Sequence, residues 1–150
     1  MIQVIRTNSE DQDFIELVKF LDVDLAKRDG DDHLFYNQFN EIEYIKYAVI
    51  AYIDDKPIGC GALKEFEPPI MEIKRMYVSS ENRGQGIATK MLSELENWAT
   101  ELSYERCILE TGKRQPEAIA LYEKNGYKLI SNYGQYTAME NSVCYEKLLK

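Results

Sequence analysis

Apolar positions recur along this chain with a period of two in some stretches and of three to four in others. Residues 2–6 are a short apolar strand closed by Thr7 and Asn8. Ser9 is placed to cap a helix with Asp11 and Asp13 in its first turn. Phe14, Leu17, Val18, Leu21 and Leu25 mark one face of that helix, which ends near Asp29 and Gly30. Residues 31–39, with His33, Phe35 and Tyr36, read as a second short helix or a loop. A strand over 47–53, a turn over 54–57 and a strand over 58–66 make a hairpin, and Gly59 and Gly61 imply a bulge or close backbone packing. After the turn at Glu67, Pro68 and Pro69, residues 71–78 form a buried strand. A polar glycine-bearing turn follows, and Ile87, Met91, Leu92, Leu95 and Trp98 then recur at helical spacing. Residues 107–110 are a buried strand broken by Thr111 and Gly112. Residues 116–124 are a helix with Pro116 in its first turn and Gly126 beyond its end, and 127–130 and 143–149 are strands. The order β-α-α-β-β-β-α-β-α-β-β predicts an α+β fold, a mixed and mainly antiparallel sheet flanked by helices, in a single domain over 1–150.

Composition narrows the function. At 150 residues and 45% apolar content the chain suits one packed core and is too apolar for disorder. No run approaches the roughly 20 apolar residues of a membrane span, and the first residues lack a signal-peptide layout, so the cytoplasm is the expected location. Cys60, Cys107 and Cys144 are odd in number and lack metal-type spacing, which predicts reduced, buried thiols and no metal centre. With His33 as the sole histidine, a cysteine nucleophile would have one candidate base. The net charge of −8 argues against a nucleic-acid partner and favours cationic substrates such as amines. An anionic ligand would then need local N–H groups and nearby cations, of which Lys74, Arg75, Arg83, Lys113 and Arg114 are available.

The turn before the long helix is where such a ligand fits. A helix N-terminus leaves about four N–H groups unpaired and carries roughly half a positive charge. Glycines there let an anion approach the backbone. A P-loop is excluded, because no Lys-Ser/Thr pair closes a frame opened by Gly84. The dinucleotide fingerprint is excluded too, because Thr89 takes the slot of its last glycine. What remains is the frame Arg83-x-x-Gly86-x-Ala88, behind a strand that holds Glu72. About two dozen residues on come Leu109-Glu110-Thr111-Gly112 and then Gln115 to Tyr127, with a Leu121-Tyr122 pair ahead of Gly126-Tyr127.

Together these segments resemble the GNAT superfamily of N-acetyltransferases, by motif over roughly residues 58–130 and by element order over the chain. The resemblance implies the acyl-CoA N-acyltransferase fold and acetyl-CoA (coenzyme A) as cosubstrate. It implies that the pantetheine arm lies along the strand ending Met76-Tyr77-Val78. The pyrophosphate would sit on the turn formed by Arg83, Gly84, Gln85, Gly86, Ile87, Ala88 and Thr89. Arg83 stands where glutamine is frequent, and Gln115 where many members have a pantetheine-contacting asparagine. Tyr122 would face the thioester sulfur as general acid; its other reading is a core aromatic. Glu72, eleven positions before Arg83 (83 − 72), is the candidate base, against a plain Glu–Lys pair on a solvent face; Glu110 or a water is the alternative base. Regular alternation would put Glu72, Lys74 and Met76 on one face and Ile73, Arg75 and Tyr77 on the other. A backbone N–H near Met76 or Val78 would stabilise the oxyanion. Phe35, Tyr36, Glu110, Tyr133 and Tyr136 are the candidate acceptor residues, for a small-molecule primary amine or an amino-acid-like ligand. The C-terminal strands offer a surface for homodimerisation. A non-catalytic acyl-CoA-binding domain of the same fold, or a structural protein that has lost the ligand, are the competing readings.

Overall fold

The computed structural model describes residues 1–29 and 44–149, with the side chains of 28 and 29 left aside. The expected helix or loop at 31–39, and with it His33, Phe35 and Tyr36, lies outside the described residues. Strands β1 (Ile2–Thr7), β2 (Tyr47–Ile53), β3 (Lys56–Glu67), β4 (Ile70–Val78), β5 (Arg106–Gly112), β6 (Lys128–Ile130) and β7 (Ser142–Leu148) form one seven-stranded sheet. Its order is β1-β2-β3-β4-β5-β7-β6. Among the described residues three α-helices flank it: α1 (Gln12–Asp29), α2 (Ile87–Glu101) and α3 (Pro116–Lys124). All neighbouring strands are antiparallel except β4 and β5, as the α+β reading requires. No helix among the described residues is long and apolar enough to cross a membrane.

The helical stripe of α2 is the centre of the larger core. Ile87, Met91, Leu92 and Leu95 are each at most 1% exposed, and full burial of such a side chain stabilises by about 1.5–3 kcal/mol. They pack with Met71, Ile73, Leu109 and Tyr122 on one face of the sheet. Phe14 and Leu17 of α1 cover the other face, over Ala48, Ile50, Cys60 and Ala62. Cys60, Cys107 and Cys144 are free and buried, and burial pushes the thiols of Cys60 and Cys107 up to about 12.

Four local expectations are corrected. Ser9 does not cap α1: its Oγ accepts the Ile45 N–H at 2.8 Å, while Asp11 Oδ1 accepts the Asp13 N–H at 2.9 Å as the helix cap. The hairpin turn is only Asp54-Asp55, at φ 50° and 68°, the left-handed pair that matches strand twist, so Lys56 and Pro57 already belong to β3. Thr111 and Gly112 do not break β5, because they pair with Val143 and Ser142 of β7. The alternation of β4 is not regular either. Cys60 pairs with Tyr77 but Ala62 with Lys74, so two residues of β4, Arg75 and Met76, oppose the single Gly61. This is a β-bulge, and Arg75 takes φ +61° in it. The extra residue flips the later face. Met76 therefore packs in the α2-side core with Ile73, and Tyr77 against the α1-side core.

Candidate active site

β4 and β5 pair over three positions only: Ile70 with Arg106, Met71 with Cys107 and Glu72 with Ile108. Past Glu72 they separate, β5 staying with β7 and the bulge at Arg75 turning β4 away. Two adjoining cavities fill the resulting cleft, and Leu21, Met76, Gln115, Ala118 and Tyr122 line both. One, of about 430 Å³, runs along Met76-Tyr77-Val78 to the start of α2. The other, of about 110 Å³, reaches Glu72, Lys74, Arg75, Glu110 and Tyr136. The edge of β4 from Ile73 onward faces the cleft with no strand beside it among the described residues, which leaves backbone groups for an extended ligand.

At the α2 end the site is built from backbone. Gly86 is the N-cap at φ +79° with no side-chain cap hydrogen bond, so no side chain competes for the first amides of the helix. A Cβ built on Gly84 or Gly86 meets nothing within 4 Å, so the approach is open. Arg83 is drawn back beside it: Nε donates to the Val78 carbonyl at 2.8 Å, and the guanidinium lies 5.7 Å from the Tyr77 ring centroid. Thr89 accepts a 3.3 Å hydrogen bond from Asn125, tying the start of α2 to the end of α3. Gln85 is exposed and lies outside both cavity linings. An open, uncapped helix start with an adjacent arginine fits a diphosphate, the anionic part of coenzyme A.

At the other end the site is built from side chains. Glu72 is only 6% exposed, and its Oε2 accepts the Tyr133 hydroxyl at 2.7 Å. Lys74 is 8% exposed, so a Glu–Lys pair on a solvent face is ruled out. Glu110 Oε2 accepts the Ser142 hydroxyl at 2.7 Å. Tyr133 meets Tyr136 edge-on at 5.9 Å and Phe66 at 5.3 Å. Asn132 holds this loop in place, its Nδ2 donating at 3.1 Å to the carbonyls of Tyr136, Met139 and Ser142. Burial, and then the charge of Glu72, pushes the Tyr133 phenol up. Burial followed by Glu110 and Glu72 does the same to Tyr136.

Tyr122 stands where the cavities meet. It is 6% exposed and packs edge-on against Tyr127 at 5.8 Å. Burial, followed by the charge of Glu110, raises its phenol above the ordinary value, so it keeps its proton at neutral pH. The sequence-predicted Tyr122, Glu72, Glu110, Tyr136 and most of the cofactor turn thus line one cleft, with Tyr133 bonded to its glutamate. Leu21 and Leu25 of α1, Asn132, Ser142 and Arg75 itself were missed as site-builders, whereas the bulge that carries Arg75 lies opposite Gly61, where the sequence implied a bulge or close backbone packing. Asn132, a turn-type residue directly ahead of the Tyr133 loop, was the one with a local signal.

The profile of the Acetyltransferase (GNAT) family matches residues 13–127. An uncharacterized N-acetyltransferase of Bacillus subtilis (strain 168), YsnE, is 36% identical over 101 residues, 66% of this chain and 67% of that protein. The chain spans about two thirds or less of the length of the curated relatives it matches. The crystal structure of a presumed acyl-CoA N-acyltransferase from Klebsiella pneumoniae subsp. pneumoniae superposes with a TM-score of 0.82 at 30% identity, covering 100% of this chain and 99% of that one. The PaiA N-acetyltransferase of Thermoplasma acidophilum, solved in complex with coenzyme A, shares the fold at a TM-score of 0.71 and 19% identity, with 99% of each chain covered. The chain belongs to the GNAT family of acetyltransferases, whose cosubstrate is acetyl-CoA.

Proposed function

We propose that this chain transfers the acetyl group of acetyl-CoA directly to a primary amine within a ternary complex. The observation that carries this reading is the β4–β5 cleft, with an uncapped helix start at one end and a buried carboxylate at the other. The diphosphate is held by the amides of Gly84 to Thr89 with Arg83, and the pantetheine pairs with the free edge of β4 beside Gln115. An acceptor arriving as an ammonium loses its proton to Glu72, which Tyr133 orients through its hydroxyl. The amine nitrogen attacks the thioester carbonyl, and a β4 N–H at Met76 or Val78 stabilises the oxyanion. The C–S bond then breaks. The departing thiolate, whose acid has a pKa of about 8.5, takes the proton of Tyr122, and the second proton of the attacking nitrogen, shed as the amide forms, restores the phenol.

The test is to combine the protein, acetyl-CoA and a panel of primary amines and follow release of free thiol. Amine-dependent release supports the reading. Tight coenzyme A binding without turnover of any amine would leave an acyl-CoA-binding domain instead. No heat of binding with coenzyme A would remove the ligand altogether.

A further inference from the structure

Arg75 is the unexplained residue of this cleft. It has φ +61°, a left-handed conformation that costs a side-chain-bearing residue roughly 1–2 kcal/mol and that glycine would adopt freely. Such strain is kept where the side chain is needed in that place. The Arg75 side chain is 8% exposed, and the residue lines the small cavity with Glu72, Glu110 and Tyr136. Its Nη1 donates to Asp22 Oδ1 at 3.3 Å, which is its one side-chain hydrogen bond among the described residues. A guanidinium carries five N–H donors in a fork shaped for a carboxylate. A buried arginine that lines a cavity and has one of its five donors engaged by a described residue is a candidate anion site. Glu72, three residues earlier on the same strand, offers the opposite charge to the same cavity.

We infer that the acceptor is a small amino acid, its carboxylate bound by Arg75 and its ammonium by Glu72. The inference rests on the proposed acetyl transfer and names its substrate class. The placement suits it. Glu72 and Arg75 lie three positions apart on the same strand and line the same cavity. The cavity is small, about 110 Å³, which suits a compact molecule. The two charges also set direction: the amine lies at the base, and the carboxylate is held off the thioester.

Matched pairs of acceptors test this, each an amino acid and the amine left by removing its carboxylate, such as alanine and ethylamine. The wild-type protein is expected to favour the amino acid by roughly 10- to 100-fold in kcat/KM, the range of charge-assisted hydrogen bonds to a carboxylate. Arg75→Asn keeps a residue that tolerates the left-handed conformation. It should raise KM for the amino acid about tenfold or more relative to the amine of the pair, with the loss falling on KM more than on kcat. Calorimetry with coenzyme A bound should show the same loss of amino-acid affinity without turnover. Equal use of both members by the wild type would overturn the inference while leaving acetyl transfer intact. An equal loss for both members in Arg75→Asn would also overturn it, by showing that Arg75 only supports the bulge. No turnover of any amine would instead overturn the acetyl transfer on which the inference rests.

Discussion

The two ends of the β4–β5 cleft are built in opposite ways. At the α2 end the proposed binding groups are amides presented by Gly84 and Gly86, both with positive φ, and by an uncapped helix start. At the far end they are the side chains of Glu72, Glu110, Tyr133 and Tyr136, brought together over 64 positions (136 − 72) of sequence. Amides survive any substitution that keeps the backbone path, so the first end suits a ligand part that does not change. Side chains can be exchanged without moving a strand, so the second end can change its acceptor while the fold stays. Tyr122, between the two, lines both cavities.

The comparison breaks most decisively at Glu72. Glu72→Gln keeps the size of the side chain and a partner for the Tyr133 hydroxyl, so the fold and coenzyme A affinity should remain. Loss of a positioned general base costs typically 10²–10⁴-fold, and a fall in kcat of about 10³-fold at neutral pH is expected. A Glu72→Gln variant that retained its kcat would move the base role to Glu110 or to water. Coenzyme A binding that fell with kcat would show that the two ends are not separable.

Tyr122→Phe should cost less, about 10²-fold in kcat, because a thiolate is a tolerable leaving group and water can supply its proton. The pH dependence carries the sign. The phenol is raised by burial and by Glu110, so it is protonated below its ordinary value of about 10 and remains so somewhat above it. Any alkaline fall in kcat that belongs to Tyr122 therefore lies above pH 10. An alkaline limb at lower pH that vanished in Tyr122→Phe would contradict the buried environment, and an unchanged kcat would remove Tyr122 from the mechanism.

The same division explains what could be read from the sequence. The α2 end is local: strand, turn and helix follow one another within about 30 residues, so glycine spacing and a 3.6-residue stripe suffice to place it. The bulge at Arg75 was signalled only from the facing strand, by Gly61, and not by β4 itself. It depends on how β4 meets Gly61 of β3, and strand alternation alone put Met76 on the wrong face. Ser9 failed as a cap for a similar reason, since its hydroxyl was taken by Ile45 from a distant segment. Tyr133 could be guessed as aromatic and near a substrate, but its bond to Glu72 needed β7 to set the loop beside β4. Residues whose role follows from their neighbours in sequence were legible, whereas roles that depend on register were not.

The gentlest test of the comparison is Gly86→Ala. The new methyl meets no protein atom within 4 Å, so its cost to the free protein is conformational: an alanine at φ +79° should lose about 1 kcal/mol and lower Tm by about 2–4 °C. The open space that spares the protein is where a diphosphate would approach the helix amides. The methyl should therefore weaken coenzyme A several-fold, by calorimetry, while kcat at saturating cosubstrate stays near the wild-type value. That pattern would separate grip from chemistry by a single carbon. A lowered Tm with unchanged coenzyme A affinity would mean that the diphosphate is held elsewhere, with Arg83 and not the helix start as its main contact.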